Sequence, residues 1–373
     1  NLIFWFSKYS KQNRSIKEES FYFGGYLHPW NSSLKSFEKN SKRKGKKLSS
    51  FDGYVDSKTL TLKGLKKITK MKADKLFSIG RYVHPWSSGL QGLEFQFTET
   101  TRKLVRRLIE ELEFGKKVDD VSVGSYTKHF KPVTAVSSNH FSEIMAHLKS
   151  AAKFLPNGSI VLYDLGLEPK QEKRIKEISF VEYRKFNFSA YPKFVRKLKI
   201  YSWKILIIQQ ILAEFGGALW FDASIVFKKR INEILSYMVG KNSSFLYYTI
   251  SSGHSIVSAT SPRMFDYLPM RSEHLPSEMP QSGAMLVFNT KIVRIQIMKW
   301  AIACSLFEDC ISPHGSRLFC PPTIWVQKDK FCGCHRYDQS LFAIVVTNAY
   351  NLQHERYILP SYMQRVFTSV FRF

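Results

Sequence analysis

From Lys131 onward, apolar and polar positions fall into alternating blocks of strand length and helix length. Pro132-Val133-Thr134-Ala135-Val136 is a short β-branched run that ends in polar Ser137-Ser138-Asn139-His140. From Phe141 to Phe154, Ile144, Met145, Leu148 and Ala151-Ala152 share one helical face. Pro156-Asn157-Gly158 is a turn. Ser159 to Leu165 then reads as a buried strand, and a charged helix follows from about Lys170 to Ile178. Phe180 to Arg184 predicts a third strand. Tyr201 to Phe215 is a long apolar helix stopped by Gly216-Gly217, and Ala218 to Phe221 is a fourth strand running into Asp222. This alternation predicts an α/β domain with a mostly parallel central sheet and helices on both faces. Ligands of such sheets sit at the carboxyl ends of the strands. Three polar groups fall there by sequence: Ser137-Ser138-Asn139, Asp164 and Asp222.

The first 130 residues have a different texture. One segment, Gly25 to Leu34 (Gly-Tyr-Leu-His-Pro-Trp-Asn-Ser-Ser-Leu), recurs as Arg81 to Leu90 (Arg-Tyr-Val-His-Pro-Trp-Ser-Ser-Gly-Leu). Two copies are too few for a solenoid, and a duplicated exon or a gene-model error explains them with least effort. His28 and His84 lack acidic or cysteine partners at metal-ligand spacing. One helix is expected in this half, from about Thr98 to Phe114. Residues 1–130 thus read as a basic, repeat-containing stem or linker, 131–350 as the α/β domain, and 351–373 as an extension packing on it.

Charge sharpens this division. The chain of 373 residues carries a net charge of +26. Residues 1–130 hold 26 Lys/Arg against 13 Asp/Glu, which is +13 in about a third of the length. The densest block is Lys42-Arg43-Lys44-Gly45-Lys46-Lys47, either a solvated flexible segment or a contact for anionic polysaccharide or lipid headgroups. No RNA-binding signature or zinc-finger spacing accompanies it, so nucleic acid is not an expected partner.

All five cysteines lie late: Cys304, Cys310, Cys320, Cys332 and Cys334. Without a CxxC pair, structural zinc is disfavoured, and two disulfides with one cysteine left over is the better reading. Which cysteines pair stays open. Sequons at Asn13, Asn31, Asn157, Asn187 and Asn242 point the same way, to a glycoprotein of an oxidising, secretory compartment. No stretch reaches the length of a membrane span. The opening Leu2-Ile3-Phe4-Trp5-Phe6, before Lys8, Lys11 and Arg14, is either the end of a signal anchor, as in a type II membrane protein, or a trivial apolar start.

A carboxylate just past a buried strand suits Mn²⁺ or Mg²⁺, which prefer oxygen ligands. Asp222 meets that description, and an Asp capping the next segment meets it equally. Glu214-Phe215-Gly216-Gly217-Ala218-Leu219-Trp220-Phe221-Asp222-Ala223-Ser224 resembles the segment of GT-A glycosyltransferases in which a helix ends at Gly-Gly and the next strand delivers an Asp-x-Asp motif. Gln281 to Thr290 resembles the later strand lining the sugar and acceptor site in those enzymes. His335-Arg336-Tyr337-Asp338-Gln339-Ser340-Leu341-Phe342 resembles their Asp-Gln motif opening a late helix. More narrowly, Val133 to Phe227, with Tyr163-Asp164-Leu165-Gly166-Leu167 and Tyr201-Ser202-Trp203-Lys204, is similar to an invertebrate-expanded, uncharacterised glycosyltransferase-like family with a cysteine-rich loop before Cys-His-Arg-Tyr-Asp-Gln-Ser.

The resemblance implies a GT-A-like fold and a Golgi-type transferase moving a sugar from a nucleotide-diphosphate donor to a glycan or glycoprotein acceptor. It implies catalytic roles for Asp222, Asp338 and His335. Ser137, Ser138, Asn139, Asp164, Asp222 and Ser224 are the candidate donor contacts, with Asp222 and Ser224 at the metal, although in the resembling enzymes the strand end at Asp164 is more often structural. Ser224 stands where the motif has its second acid, so a need for Mn²⁺ or Mg²⁺ is conditional. His254 is a weaker site candidate, and Lys193, Arg196, Lys197 and Lys199 read as a phosphate contact or a solvated face. The alternative function is a non-catalytic protein of the same fold, its metal motif lost, that binds anionic glycans. An unrelated α/β enzyme is the third reading. A serine-hydrolase elbow and glycine-rich nucleotide loops are absent from the sequence.

Overall fold

Six strands of apolar, largely β-branched and aromatic residues organise the computed structural model, which describes residues 97–154, 159–228, 232–248, 251–363 and 367–369. They are β1 (Phe130–Val136), β2 (Ile160–Asp164), β3 (Val181–Lys185), β4 (Gly217–Asp222), β6 (Phe245–Tyr247) and β9 (Ala284–Phe288), in the order β3-β2-β1-β4-β9-β6. The first four are mutually parallel, and β9 runs antiparallel to β4 and β6. Strand β5 (Ile225–Phe227) pairs with β10 (Phe367–Ser369), and β7 (Ser251–Ser255) with β8 (Glu278–Pro280).

Period-two alternation sorts the side chains into two cores. Val133, Ala135, Val161, Tyr163, Ala218, Trp220, Met285 and Val287 face one way. There they meet helices α1 (Glu99–Phe114), α5 (Ser202–Phe215), α7 (Lys299–Ser305) and α8 (Asp338–Tyr350). Val136, Ile160, Leu162, Leu219, Phe221, Leu286 and Phe288 face the other way. That face carries α2 (Val123–His129), α3 (Phe141–Phe154), α4 (Pro169–Lys176) and α6 (Asn232–Gly240). The expected mostly parallel sheet with helices on both faces is observed. Burial on both faces is why its inner strands read as nearly continuous apolar runs, whereas the edge strand β3 carries Glu182, Arg184 and Lys185.

The chain divides into two compact units, Asn1–Ile79 and Gly80–Phe373, and every described residue belongs to the second. That unit begins before Lys131, where the sequence texture changes. Helix α1, capped by the Thr98 hydroxyl, buries Val105, Leu108 and Leu112 in the α5 core. The repeat, the basic block, the apolar opening and the sequons at Asn13, Asn31 and Asn157 lie outside the described residues. Asn187 and Asn242 are exposed. Toward the carboxyl terminus, Tyr357 and Leu359 are buried against the domain.

Gly216 and Gly217 make the turn from α5 into β4. Gly216 has φ +88° and caps α5 through its N–H to the Leu212 carbonyl. A Cβ on Gly217 would lie 2.7 Å from the Phe288 ring.

Candidate functional site: a buried lysine between two carboxylates

Asp222 ends β4 two residues after Trp220, so its side chain leaves on the Trp220 face, toward α5 and α8. Its backbone N–H bonds to the Gly283 carbonyl at 2.8 Å. Because β9 is antiparallel, this brings the start of β9 to the carboxyl ends of the parallel strands.

Two helices begin here. Lys204 stands in the first turn of α5 and Asp338 is the first residue of α8. Both follow a tyrosine in the left-handed backbone region, Tyr201 at φ 59° and Tyr337 at φ 45°. Such residues cost on the order of 1–3 kcal/mol each and cluster at functional sites.

Lys204 Nζ lies 3.0 Å from Asp222 Oδ1 and 2.7 Å from Asp338 Oδ2. It is also 3.5 Å from the Ser282 carbonyl, and the rings of Tyr201 and Trp220 lie 5.6 and 5.5 Å away. Asp222 Oδ1 accepts a second bond from Trp220 Nε1 at 2.9 Å, and Asp338 Oδ2 one from Ser282 Oγ at 2.7 Å.

A cation buried at a helix N-terminus is disfavoured by desolvation and by the helix dipole. Burial works against the Lys204 ammonium, but the Asp222 and Asp338 carboxylates outweigh it and hold its pKa above the ordinary value. Burial pushes the Asp222 carboxyl up, Lys204 pulls it back, and Asp338 adds to the rise. The side chains of Lys204 and Asp338 are 3% and 6% exposed, whereas that of Asp222 is 40% exposed and opens into the adjoining cavity. Asp222 is therefore the member of the triad most open to a ligand.

The cavity has a volume of about 480 Å³, within the range of small-molecule sites. Lys204, Asp222, Ser224, Ser282 and Asp338 line it on one side. Arg336 and Gln339 line it too, with Ser252 and His254, and Leu318, Phe319, Ile324 and Trp325 are among its other lining residues. Phe319 and Trp325 are 86% and 56% exposed, so this apolar part also faces solvent. The Arg336 guanidinium is held by the Gln339 amide oxygen and the Leu318 carbonyl, each at 3.3 Å. His254 is buried, and burial lowers its pKa to about 4, so it is neutral near pH 7. Its Nδ1 lies 3.3 Å from Ser252 Oγ.

Disulfides Cys304–Cys310 and Cys320–Cys334 form, with Cys332 free, so the expected two bridges and one leftover cysteine are present. The second bridge ties the Phe319 segment to the chain just before His335-Arg336.

The other residues singled out in the sequence lie elsewhere. His335 is fully buried and does not line the cavity. Its Nδ1 accepts from the Ser261 N–H at 3.1 Å, and its Nε2 donates to the Ile311 carbonyl at 3.0 Å. It anchors the segment that carries Arg336 and Asp338. Asp164 is 2% exposed and fully engaged: Oδ1 accepts from the Gly166 and Leu167 N–H groups, and Oδ2 from the Tyr183 hydroxyl. Ser137, Ser138 and Asn139 follow β1 at the same end of the sheet. Ser137 donates to Asn139 and Ser138 to Glu168, and none of the three lines the cavity. Lys193, Arg196, Lys197 and Lys199 are exposed and away from it, Lys197 pairing with Glu308. Lys204 and Arg336 stand inside two of the motifs, but the sequence alone assigns neither of them a role. The signal for Lys204 was a lysine in an otherwise apolar helix, a position where a cation needs buried partners.

A divalent cation at Asp222 and Ser224 fits these residues poorly, because Asp222 Oδ1 is already engaged and Ser224 brings no carboxylate. The near oxygen of each carboxylate already accepts from two donors, one of them the Lys204 ammonium. No group of three or more His, Cys, Asp or Glu side chains is placed to hold a metal among the described residues.

The family described as a protein of unknown function (DUF1647) matches residues 72–209, a span that includes Lys204. No curated protein matches the chain. Among solved structures, mouse xyloside xylosyltransferase 1 in its apo form is 12% identical, covering 62% of this chain and 84% of that one at TM-score 0.34. The apo WbbM bifunctional glycosyltransferase is 15% identical, covering 52% and 39% at TM-score 0.35. An active-site mutant of LgtC is 10% identical, covering 64% and 86% at TM-score 0.33.

Proposed function

We propose that the cavity at Asp222 binds a nucleoside-diphosphate sugar and that the protein transfers the sugar to a glycan or glycoprotein acceptor. The observation that carries this reading is the placing of Asp222, Asp338 and Arg336 around one cavity at the carboxyl end of a parallel sheet. The sequence resemblance assigns a donor site to the same strand end. In such a transfer the anomeric C–O bond breaks, and its electron pair stays on the β-phosphate oxygen of the leaving nucleotide. The acceptor oxygen forms the new bond, and its proton passes to the leaving β-phosphate oxygen or to water. Arg336 is suited to the diphosphate by the forked donors of its guanidinium. Exposed Trp325 and Phe319 offer flat apolar faces against which an acceptor can stack. Two disulfides agree with an oxidising compartment, and we assign the protein to the secretory lumen, Golgi included. No described helix is long and apolar enough to cross a membrane.

The departure at Ser224 favours a second reading, a site that binds without turnover. One assay separates the two. The full chain is incubated with a panel of nucleotide sugars and glycan acceptors, and nucleoside-diphosphate release is followed. The transferase reading expects release with at least one donor and its loss in Asp222→Asn. Binding without release favours the second reading, and the absence of both overturns the site.

A further inference from the structure

Resting on that reading of the cavity, we propose that the site works without a divalent cation: the Lys204 ammonium bridges Asp222 and Asp338, and Arg336 meets the diphosphate. A hard divalent ion needs several open oxygen ligands at about 2.0–2.6 Å. At this site the bridging position belongs to an ammonium 3.0 Å from one carboxylate and 2.7 Å from the other. A second cation bound to those same oxygens would sit against the Lys204 ammonium and have to share its two carboxylates. Lys204 is held in place: the residue is 2% exposed, both carboxylates grip its Nζ, and the Tyr201 and Trp220 rings lie 5.6 and 5.5 Å away. One lysine and two carboxylates leave a net single negative charge, and the Arg336 guanidinium stands on the wall of the same cavity. Lys204 is thus a positioning residue: it holds Asp222 in place and occupies the position a metal would need.

The metal-ion part is measured without any nucleotide. Mn²⁺ is titrated by electron paramagnetic resonance into the full-length wild type, Lys204→Ala, Lys204→Met and Asp222→Asn. Wild type is expected to leave Mn²⁺ unbound at this site up to millimolar concentration. Lys204→Ala, which frees two facing carboxylates, is expected to gain a saturable site at least tenfold tighter. Mn²⁺ should then raise the unfolding temperature of that variant but not of wild type, a gain that a merely structural lysine would not produce. Micromolar Mn²⁺ binding by wild type that disappears in Asp222→Asn overturns the proposal, as does the absence of any gain in both folded Lys204 variants. If neither variant folds, the wild-type titration decides. The nucleotide part is calorimetry with uridine and guanosine diphosphate in EDTA and in Mn²⁺. Affinities within twofold of each other support the proposal, and a tenfold or larger loss in EDTA overturns it. Failure of both nucleotides to bind under either condition counts against the nucleotide-sugar reading, while the Mn²⁺ titration still decides the role of Lys204.

Discussion

Asp222 is the most open member of the triad at the cavity, while its partners Lys204 and Asp338 line it with little exposure. Asp222→Asn keeps the shape and removes the charge, so Lys204 is left with Asp338 alone. Turnover is expected to fall by about 100-fold or more, as when one preorganised electrostatic group is lost. Urea unfolding should show a loss of about 1–3 kcal/mol from the weakened buried network. Arg336 differs, because its guanidinium is held only by two 3.3 Å contacts. Arg336→Ala is expected to weaken nucleoside-diphosphate binding by roughly 10- to 100-fold while changing stability by no more than about 1 kcal/mol. Calorimetry and unfolding on the same sample check both halves. Of these residues, the sequence pointed to Asp222 and Asp338 through strand ends and motifs. It did not single out Lys204, which stands alone in an apolar helix just after a basic run. Only the return of β9 and the start of α8 show that two carboxylates surround it.

Strand and helix blocks were readable from Lys131 onward because burial on both sheet faces leaves uninterrupted apolar runs. The expected boundaries of β1 to β4 fall within two residues of the observed ones. Their order could not be read: nothing local states that β9 pairs with both β4 and β6. The same gap explains His335. Its neighbours in sequence suggest a site residue, but its ring nitrogens meet the backbone at Ser261 and Ile311, contacts set by tertiary packing. At this scale Gly253 is a sensitive point. It has φ +77°, and a Cβ there would lie 2.7 Å from the Trp325 ring. Gly253→Ala is expected to cost about 1–3 kcal/mol. It should also displace Trp325, visible as changed tryptophan fluorescence and weaker acceptor binding.

Across the whole molecule, acid sensitivity follows from buried neutral histidines. His147 and His335 are both 0% exposed, and burial lowers each pKa to about 4. The unfolded chain, with histidine near 6.5, binds more protons between those values, so stability is full above about pH 6.5 and is lost as pH falls toward 4. Each contributes on the order of 3 kcal/mol to that loss. His147 Nδ1 also bonds to the Ile225 carbonyl at 2.7 Å, tying α3 to the segment just after Asp222. His147→Phe should therefore flatten the pH dependence of the urea midpoint by one proton while slightly lowering stability at pH 7.5. The central claim, that the cavity at Asp222 receives a nucleoside-diphosphate sugar, is tested most directly by calorimetric titration. The full-length protein would be titrated with uridine- and guanosine-diphosphate sugars, with Asp222→Asn and Arg336→Ala alongside. One-to-one binding that weakens at least tenfold in Arg336→Ala is the predicted result. Binding unaltered in both variants, or no binding by the folded wild type, would contradict it.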